Sequence, residues 1–276
     1  MKEKEVKKVV REGYARIAKQ GSSCCGPVNS CCGSTDLAQS IGKSIGYTEE
    51  ELTAVPEGAN LGLGCGNPVA LASLREGETV LDLGSGAGFD CFLAANQVGE
   101  TGRVVGVDMT PEMIEKAREN AGKGNYENVE FRLGEIENLP VADNTADVIV
   151  SNCVINLAPD KKSVFKEAFR VLKPGGRIMV SDIVLTKELP EAIKNSVQAY
   201  VGCVSGAMVK LEYLETMEAA GFNDITVIDE TSFPIDCMAN DPTARTIMDN
   251  LDLSPEKVLE LANSIRSIKV YAIKPN

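Results

Sequence analysis

Apolar positions follow two different periods along this chain. In residues 1–20, Val6, Val9, Val10, Tyr14 and Ile17 recur at spacings of three and four between charges, which predicts an amphipathic helix. From residue 79 the pattern changes to short, almost wholly apolar runs at 79–83, 103–108, 129–133, 146–151 and 177–182, the signature of strands buried on both faces. Helical stretches alternate with them, one running to about residue 98, one from Thr110-Pro111 to about 121, and one over 162–172 that stops at Lys173-Pro174-Gly175-Gly176. Two further strands are predicted at 224–228 and 268–273, behind helices at 211–220 and 255–265. Strands and helices in this order predict an α/β fold built on a parallel, doubly wound sheet. Ahead of it, residues 21–34 are Gly, Ser, Pro and Cys and read as loop, Thr48 and Glu51 form a capping box for a short helix ending before Pro56, and 58–68 is again rich in glycine. The expected division is an N-terminal helix and Cys-rich segment over 1–70, a Rossmann-like α/β core over 71–185, and a covering region that completes the sheet over 186–276.

Composition narrows the chemistry. With 43% hydrophobic and 25% charged residues the 276-residue chain has the make-up of an ordinary globular protein. Its 28 basic against 40 acidic residues, a net charge of −12, argue against nucleic acid or an anionic membrane as partner. No run approaches the ~18 apolar residues of a membrane span, and the charged first residues lack a secretory signal's apolar stretch, so a cytoplasmic location is expected. There is no histidine, which removes both the commonest general base and the commonest zinc ligand. Nine cysteines in such a setting stay mostly reduced, and an odd number suits a disulfide framework poorly. The adjacent pairs Cys24-Cys25 and Cys31-Cys32 also lack the Cys-x₂-Cys spacing of structural zinc.

The strand at 79–83 runs into Gly84-Ser85-Gly86-Ala87-Gly88, where glycines let backbone approach a ligand and leave the N–H groups of the next helix free. Asp108 ends the second strand, placed to accept hydrogen bonds from both hydroxyls of a ribose. Asp82, just ahead of the glycines, would repel a pyrophosphate and attract an ammonium or sulfonium group. Phe89 occupies the place where a dinucleotide fingerprint has its third glycine. A cationic nucleoside derivative is therefore favoured. Val80-Leu81-Asp82-Leu83-Gly84-Ser85-Gly86-Ala87-Gly88 together with Val107-Asp108-Met109 resembles the class I methyltransferases that use S-adenosylmethionine, over roughly residues 72–230. That resemblance implies a Rossmann-like seven-stranded sheet, with Gly84, Ser85 and Gly86 at the methionyl part, Asp108 on the ribose, Met109 against the adenine, and Glu135 and Ile136 beside the adenine amine. Asn152, in the run after the fourth strand, is placed with these cofactor contacts.

Cys153 follows that fourth strand, at the crevice edge where a sulfonium methyl would lie. A thiol there, where transfer to oxygen or nitrogen calls for an acid or base, points to a soft acceptor atom. A buried cysteine is also an ordinary small apolar residue, and Cys91 beside Phe92 and Leu93, like Cys237 in a later loop, is read in that way. Cys65 and Cys203 differ in being flanked by glycines. Gly-Cys-Gly-Asn-Pro around Cys65, Ser-Asn-Cys-Val-Ile-Asn-Leu around Cys153, and Cys-Val-Ser-Gly-Ala from Cys203 resemble the arsenite (As(III)) S-adenosylmethionine methyltransferase family. The resemblance implies that thiolates of Cys65, Cys153 and Cys203 bind trivalent arsenic in a pyramid. It also implies a fourth, N-terminal cysteine, assigned to Cys32 among Cys24, Cys25, Cys31 and Cys32, that forms a disulfide with a ligand cysteine and is reset by a reducing thiol such as glutathione or thioredoxin. Two alternatives are a methyltransferase of a small carbon or sulfur nucleophile and a metalloid-binding protein without turnover.

Overall fold

The structure is a computed structural model, and it describes residues 3–20, 34–190, 193, 203–232 and 263–276. Cys24, Cys25, Cys31, Cys32 and Cys237, the 21–33 loop, most of the 255–265 helix and much of the covering region lie outside the described residues.

Seven strands form one sheet: β1 (Thr79–Leu83), β2 (Arg103–Asp108), β3 (Val129–Leu133), β4 (Ala146–Asn152), β5 (Leu172–Leu185), β6 (Asn223–Ser232) and β7 (Ile265–Ile273). Their order is β3-β2-β1-β4-β5-β7-β6, with the first five parallel and β7 antiparallel to both neighbours. This is the doubly wound α/β sheet the sequence predicts. Parallel strands need crossovers, and helices α5 (Phe89–Val98), α6 (Pro111–Gly124), α7 (Lys161–Val171) and α8 (Lys210–Ala219) cover the sheet's faces. On one face Phe165, Tyr213, Met217 and Phe222 pack over Ile149, Ile178 and Val270. On the other Phe92, Ala94, Ile114 and Ala117 pack over Val80, Val104 and Val148.

N-terminal to the sheet lie α1 (Glu3–Gln20), α2 (Ser34–Ser44), α3 (Glu49–Thr53) and α4 (Pro68–Leu71). The amphipathic α1 buries Val6, Val10 and Ile17, and its Lys7 reaches Glu135 at 2.7 Å and Glu137 at 3.0 Å. The predicted capping box forms at α3, where Thr48 Oγ1 accepts from the Glu51 N–H and Glu51 Oε2 from the Thr48 N–H. Neither α2 nor α4 is foreseen from periodicity. In α2 an interior glycine weakens the pattern, yet a Cβ on Gly42 would come within 2.6 Å of Leu52, so the glycine admits the packing of α3. In α4 the start lies inside a glycine-rich stretch, with Asn67 accepting from the Ala70 N–H and Pro68 in the first turn.

Strand boundaries differ from the sequence reading, most of all at two starts, while β5 and β6 also run on to Leu185 and Ser232. β5 starts at Leu172, directly after α7, and the expected turn at 173–176 is an irregularity in its pairing with β4. β7 starts at Ile265, which pairs with Leu185, so Ile265 is a strand residue and not the end of a helix. Cross-strand pairing over nine residue pairs outweighs the local helical pattern there. Among the described residues, no helix is long and apolar enough to cross a membrane.

Candidate active site

Strand order reverses between β1 and β4, and a crevice opens at that point beyond their carboxyl ends. Together with the solvent it opens onto, it spans about 1020 Å³, and it is lined by the loops after β1, β2, β3 and β4 and by Lys7, Val10 and Tyr14 of α1. The glycine loop is shaped by contacts on both sides. Gly84 has φ +73°, and a Cβ there would overlap Val154, which draws the loop against the segment after β4. Gly86 has φ +51° with nothing within 4 Å of where a Cβ would be, so this turn is open to the crevice. Between them the buried Ser85 Oγ has no hydrogen-bond partner among the described residues.

Asp82, Gly84, Ser85, Gly86, Asp108, Met109, Ile136 and Asn152 all line the crevice. The Asp108 carboxylate is held by the N–H groups of Gly86 (3.0 Å) and Thr110 (2.8 Å). Asp82 accepts from the Cys91 thiol at 3.2 Å, and burial, with Asp90 nearby, pushes its pKa well above the usual carboxylate range. Burial raises Asp108 also, and Asp90, a further lining residue, is pushed up to about 6. Among the described lining residues Lys7 is the one cation, and it is already paired with two glutamates. Three desolvated carboxyl groups without a cation of their own, beside an orphaned hydroxyl and an open glycine turn, fit a cationic nucleoside donor. Glu135 stands apart from its expected neighbours. Its carboxylate faces α1, with Lys7 at 2.7 Å and Arg11 at 3.6 Å, and the crevice is lined by Gly134, Ile136 and Glu137 on either side of it.

Next to this crevice the fold gathers the three singled-out cysteines. Cys153 leaves β4 with φ +60°, a left-handed conformation rare for a residue with a side chain, and its N–H donates to Ser181 O at 2.8 Å. Cys65 is clamped at both backbone groups: its N–H donates to Asn152 Oδ1 at 3.0 Å and its carbonyl accepts from Ser267 Oγ at 2.8 Å. A Cβ on Gly64 would lie 2.8 Å from Asn152 and one on Gly66 2.6 Å from Ser181 Oγ, so the flanking glycines serve close approach. Cys203, also left-handed at φ +64°, donates its thiol hydrogen to Cys153 O at 3.0 Å across 50 residues of chain. Ligand atoms of Cys65, Cys153 and Asp182 all lie within 4.8 Å of one another. All three cysteines are free and buried. Burial pushes the Cys65 thiol up. The Cys203 hydrogen bond pulls Cys153 down, but the Cys65 hydrogen bond and burial outweigh it, while Cys203 is raised by its bond to Cys153 and by burial. All three thiols are thus shifted toward their protonated forms. Cys91, fully buried against the strands, is core.

Asp182 is a residue the sequence reading missed. It sits on β5 with no exposed surface, accepts from Asn156 Nδ2 (2.8 Å), the Ile183 N–H (2.9 Å) and Tyr213 OH (3.1 Å), and is pushed by burial up to about 7. A signal was present, because Asp182 closes a buried apolar run at the sheet's carboxyl edge as Asp108 does.

A methyltransferase-domain family profile matches residues 74–221. The chain is 51% identical over 230 residues to an arsenite methyltransferase of Halobacterium salinarum, covering 81% of this chain and 59% of that one. It is 35% identical over 232 residues to the human arsenite methyltransferase, covering 80% and 59%. The chain thus spans about three-fifths of the length of these curated relatives. Among solved structures it superposes on an arsenic(III) S-adenosylmethionine methyltransferase from Chlamydomonas reinhardtii with a TM-score of 0.62 and 30% identity, covering 86% of this chain and 73% of the other. Matched in sequence and in fold across most of its length, the chain belongs to the arsenite methyltransferase family of class I, S-adenosylmethionine-dependent methyltransferases.

Proposed function

We propose that this chain transfers methyl groups from S-adenosylmethionine to trivalent arsenic held by Cys65, Cys153 and Cys203. The observation that carries the proposal is that the Cys65 and Cys153 thiols lie within 4.8 Å of each other and of Asp182, with the Cys203 thiol bonded to the Cys153 carbonyl, at the carboxyl edge of β4 and β5 beside the donor crevice. Ser85, Gly86 and Asp108 would hold the donor, with Asp82 facing its positive charge. When bound, the donor supplies an electrophilic methyl group on a sulfonium.

Soft thiolate ligands select a soft acceptor, and the protonated state of the thiols suits arsenite. Each As–O bond exchanged for As–S carries one thiol hydrogen away with a hydroxide as water, so As(OH)₃ and three thiols give an arsenic trithiolate and three waters. No net charge is buried. Three sulfurs leave the arsenic lone pair as the remaining direction, and the site's contribution to rate is proximity and orientation. Arsenic attacks through that pair without losing a proton, so a site lacking histidine needs no general base. Donation of the pair leaves arsenic pentavalent. Cys32, together with one ligand cysteine, supplies two electrons by forming a disulfide, which releases trivalent methylated arsenic and one proton. A reducing thiol of the glutathione or thioredoxin kind then restores both cysteines. A cytoplasmic location belongs with this cycle, because a reducing compartment keeps the thiols available.

Incubation of the full chain with arsenite, S-adenosylmethionine and a thiol, followed by mass spectrometry of the arsenic species, tests the proposal. Methylated arsenicals are expected. Their absence, with the donor still bound, would overturn it.

A further inference from the structure

The donor crevice and the thiol cluster are joined by a partly buried polar bridge that the chemistry above does not use. Asn152 lies at its centre. Its Oδ1 accepts the Cys65 N–H, and its Nδ2 lies 2.8 Å from Gly66 O, so the carboxamide pairs with the Cys65–Gly66 segment as a neighbouring strand would. The same Nδ2 lies 2.9 Å from Tyr47 OH and 3.1 Å from Asp90 Oδ2. Two hydrogens serve three acceptors, one going to the Gly66 carbonyl and the other shared between Tyr47 and Asp90. Tyr47 OH in turn donates to Asp90 Oδ1 at 2.6 Å, closing a three-membered network at the first turn of α5.

Tyr47 is only 4% exposed and is not among the residues lining the crevice, yet both of its polar partners are. Its ring stands edge-on to Phe89, another lining residue, at 4.8 Å between centroids. A connected path therefore runs from the crevice wall at Asp90 through Tyr47 and Asn152 to the backbone of Cys65. Its far end has little slack, because Gly64 already abuts Asn152 and the Cys65 carbonyl is tied to β7. The residue after Asn152 is Cys153, so the residue whose side chain holds the Cys65 backbone is also the chain neighbour of the second cysteine. A displacement of Asp90 on filling the crevice would be transmitted to the spacing of Cys65 and Cys153, since the links are hydrogen bonds of 2.6 Å (Tyr47–Asp90, buried) and of 2.9, 3.1 and 3.0 Å at the partly buried Asn152.

Resting on the methyl-transfer reading, we propose that Tyr47 is a positioning residue that registers Cys65 with the donor crevice through Asp90 and Asn152, linking the affinities for donor and trivalent arsenic. Linkage is reciprocal, and couplings of this kind are worth about 5–150-fold.

Arsenite binding to the full chain, titrated with and without S-adenosylhomocysteine so that no turnover occurs, reads the coupling directly. In the wild type the nucleoside should tighten arsenite binding at least about fivefold. In Tyr47→Phe, which keeps the ring and removes the hydroxyl, that factor should fall to near one, with S-adenosylhomocysteine affinity alone within about twofold of wild type. In an Asn152→Ala background the tyrosine substitution should have no further effect on the factor. Should Tyr47→Phe fail to fold, the factor in Asn152→Ala carries the same test and should also fall to near one. A wild-type factor retained in Tyr47→Phe, or an equal loss with and without Asn152, would overturn the proposal. A wild type that binds arsenite with no coupling overturns this inference alone. A wild type that binds no arsenite overturns the methyl-transfer reading itself.

Discussion

The donor crevice and the thiol cluster share one edge of one sheet but are encoded differently. The crevice is written in short consecutive stretches: Asp82 to Gly86 is a single strand-to-helix turn, and Asp108 and Met109 are neighbours at the end of β2. The cluster has no such locality. Cys65 comes from the loop before α4, Cys153 from the end of β4 and Cys203 from the approach to α8, and each is held by contacts to a distant part of the chain, with separations of 202, 87 and 50 residues among the bonds that fix them. A site made of consecutive backbone tolerates drift elsewhere. One made of convergent single residues depends on the whole sheet edge and on two left-handed cysteines.

That contrast predicts graded effects. The largest is expected for Cys153→Ser, which exchanges a soft ligand for a hard one and should lower formation of methylated arsenic by at least about a hundredfold while the donor dissociation constant stays unchanged in calorimetry. Next comes Asp108→Ala, on the other side of the comparison. Loss of hydrogen bonds to a charged acceptor, about 1.5–3 kcal/mol, should weaken donor binding about tenfold to a hundredfold and leave arsenite binding in place. An unchanged donor affinity would remove the ribose role.

A smaller effect is expected for Gly64→Ala. The φ of +111° and a Cβ within 2.8 Å of Asn152 should cost about 1–3 kcal/mol in denaturant unfolding. Arsenite affinity should fall with it, and donor affinity should not. The smallest concerns Asp182, whose pKa is raised by burial from 3.8 to about 7. Its folded-state value lies above the unfolded one, so the stabilisation is complete below about pH 4 and is lost as pH rises through 7. Asp182→Asn should flatten stability across that window, measured by unfolding at a series of pH values, and an unchanged slope would assign the pH dependence elsewhere.

What could be read from the sequence follows the same division. The sheet, its helices and the glycine turn announce themselves because period and turn chemistry are local properties. Asp108 was legible because a charge closing a buried strand is anomalous on its own. Asp182 carries the same mark and was passed over, since the residues that surround it, Asn156 and Tyr213, come from other elements. Cys65, Cys153 and Cys203 each look like core by burial alone, and motif resemblance, not periodicity, drew them together. Glu135 is the opposite case: a residue in a familiar motif position has its carboxylate beside Lys7 and Arg11 of α1, which no local pattern connects to it. The start of β7 at Ile265 was hidden for a similar reason, its conformation being set by pairing with Leu185.

The account depends above all on three sulfurs meeting one arsenic atom. Arsenic K-edge X-ray absorption of the arsenite-loaded full chain measures that directly. A first shell of three sulfurs is predicted, changing to two sulfurs and one oxygen in Cys153→Ser, whereas an oxygen-dominated shell in the wild type, or a shell that Cys153→Ser leaves untouched, would contradict it.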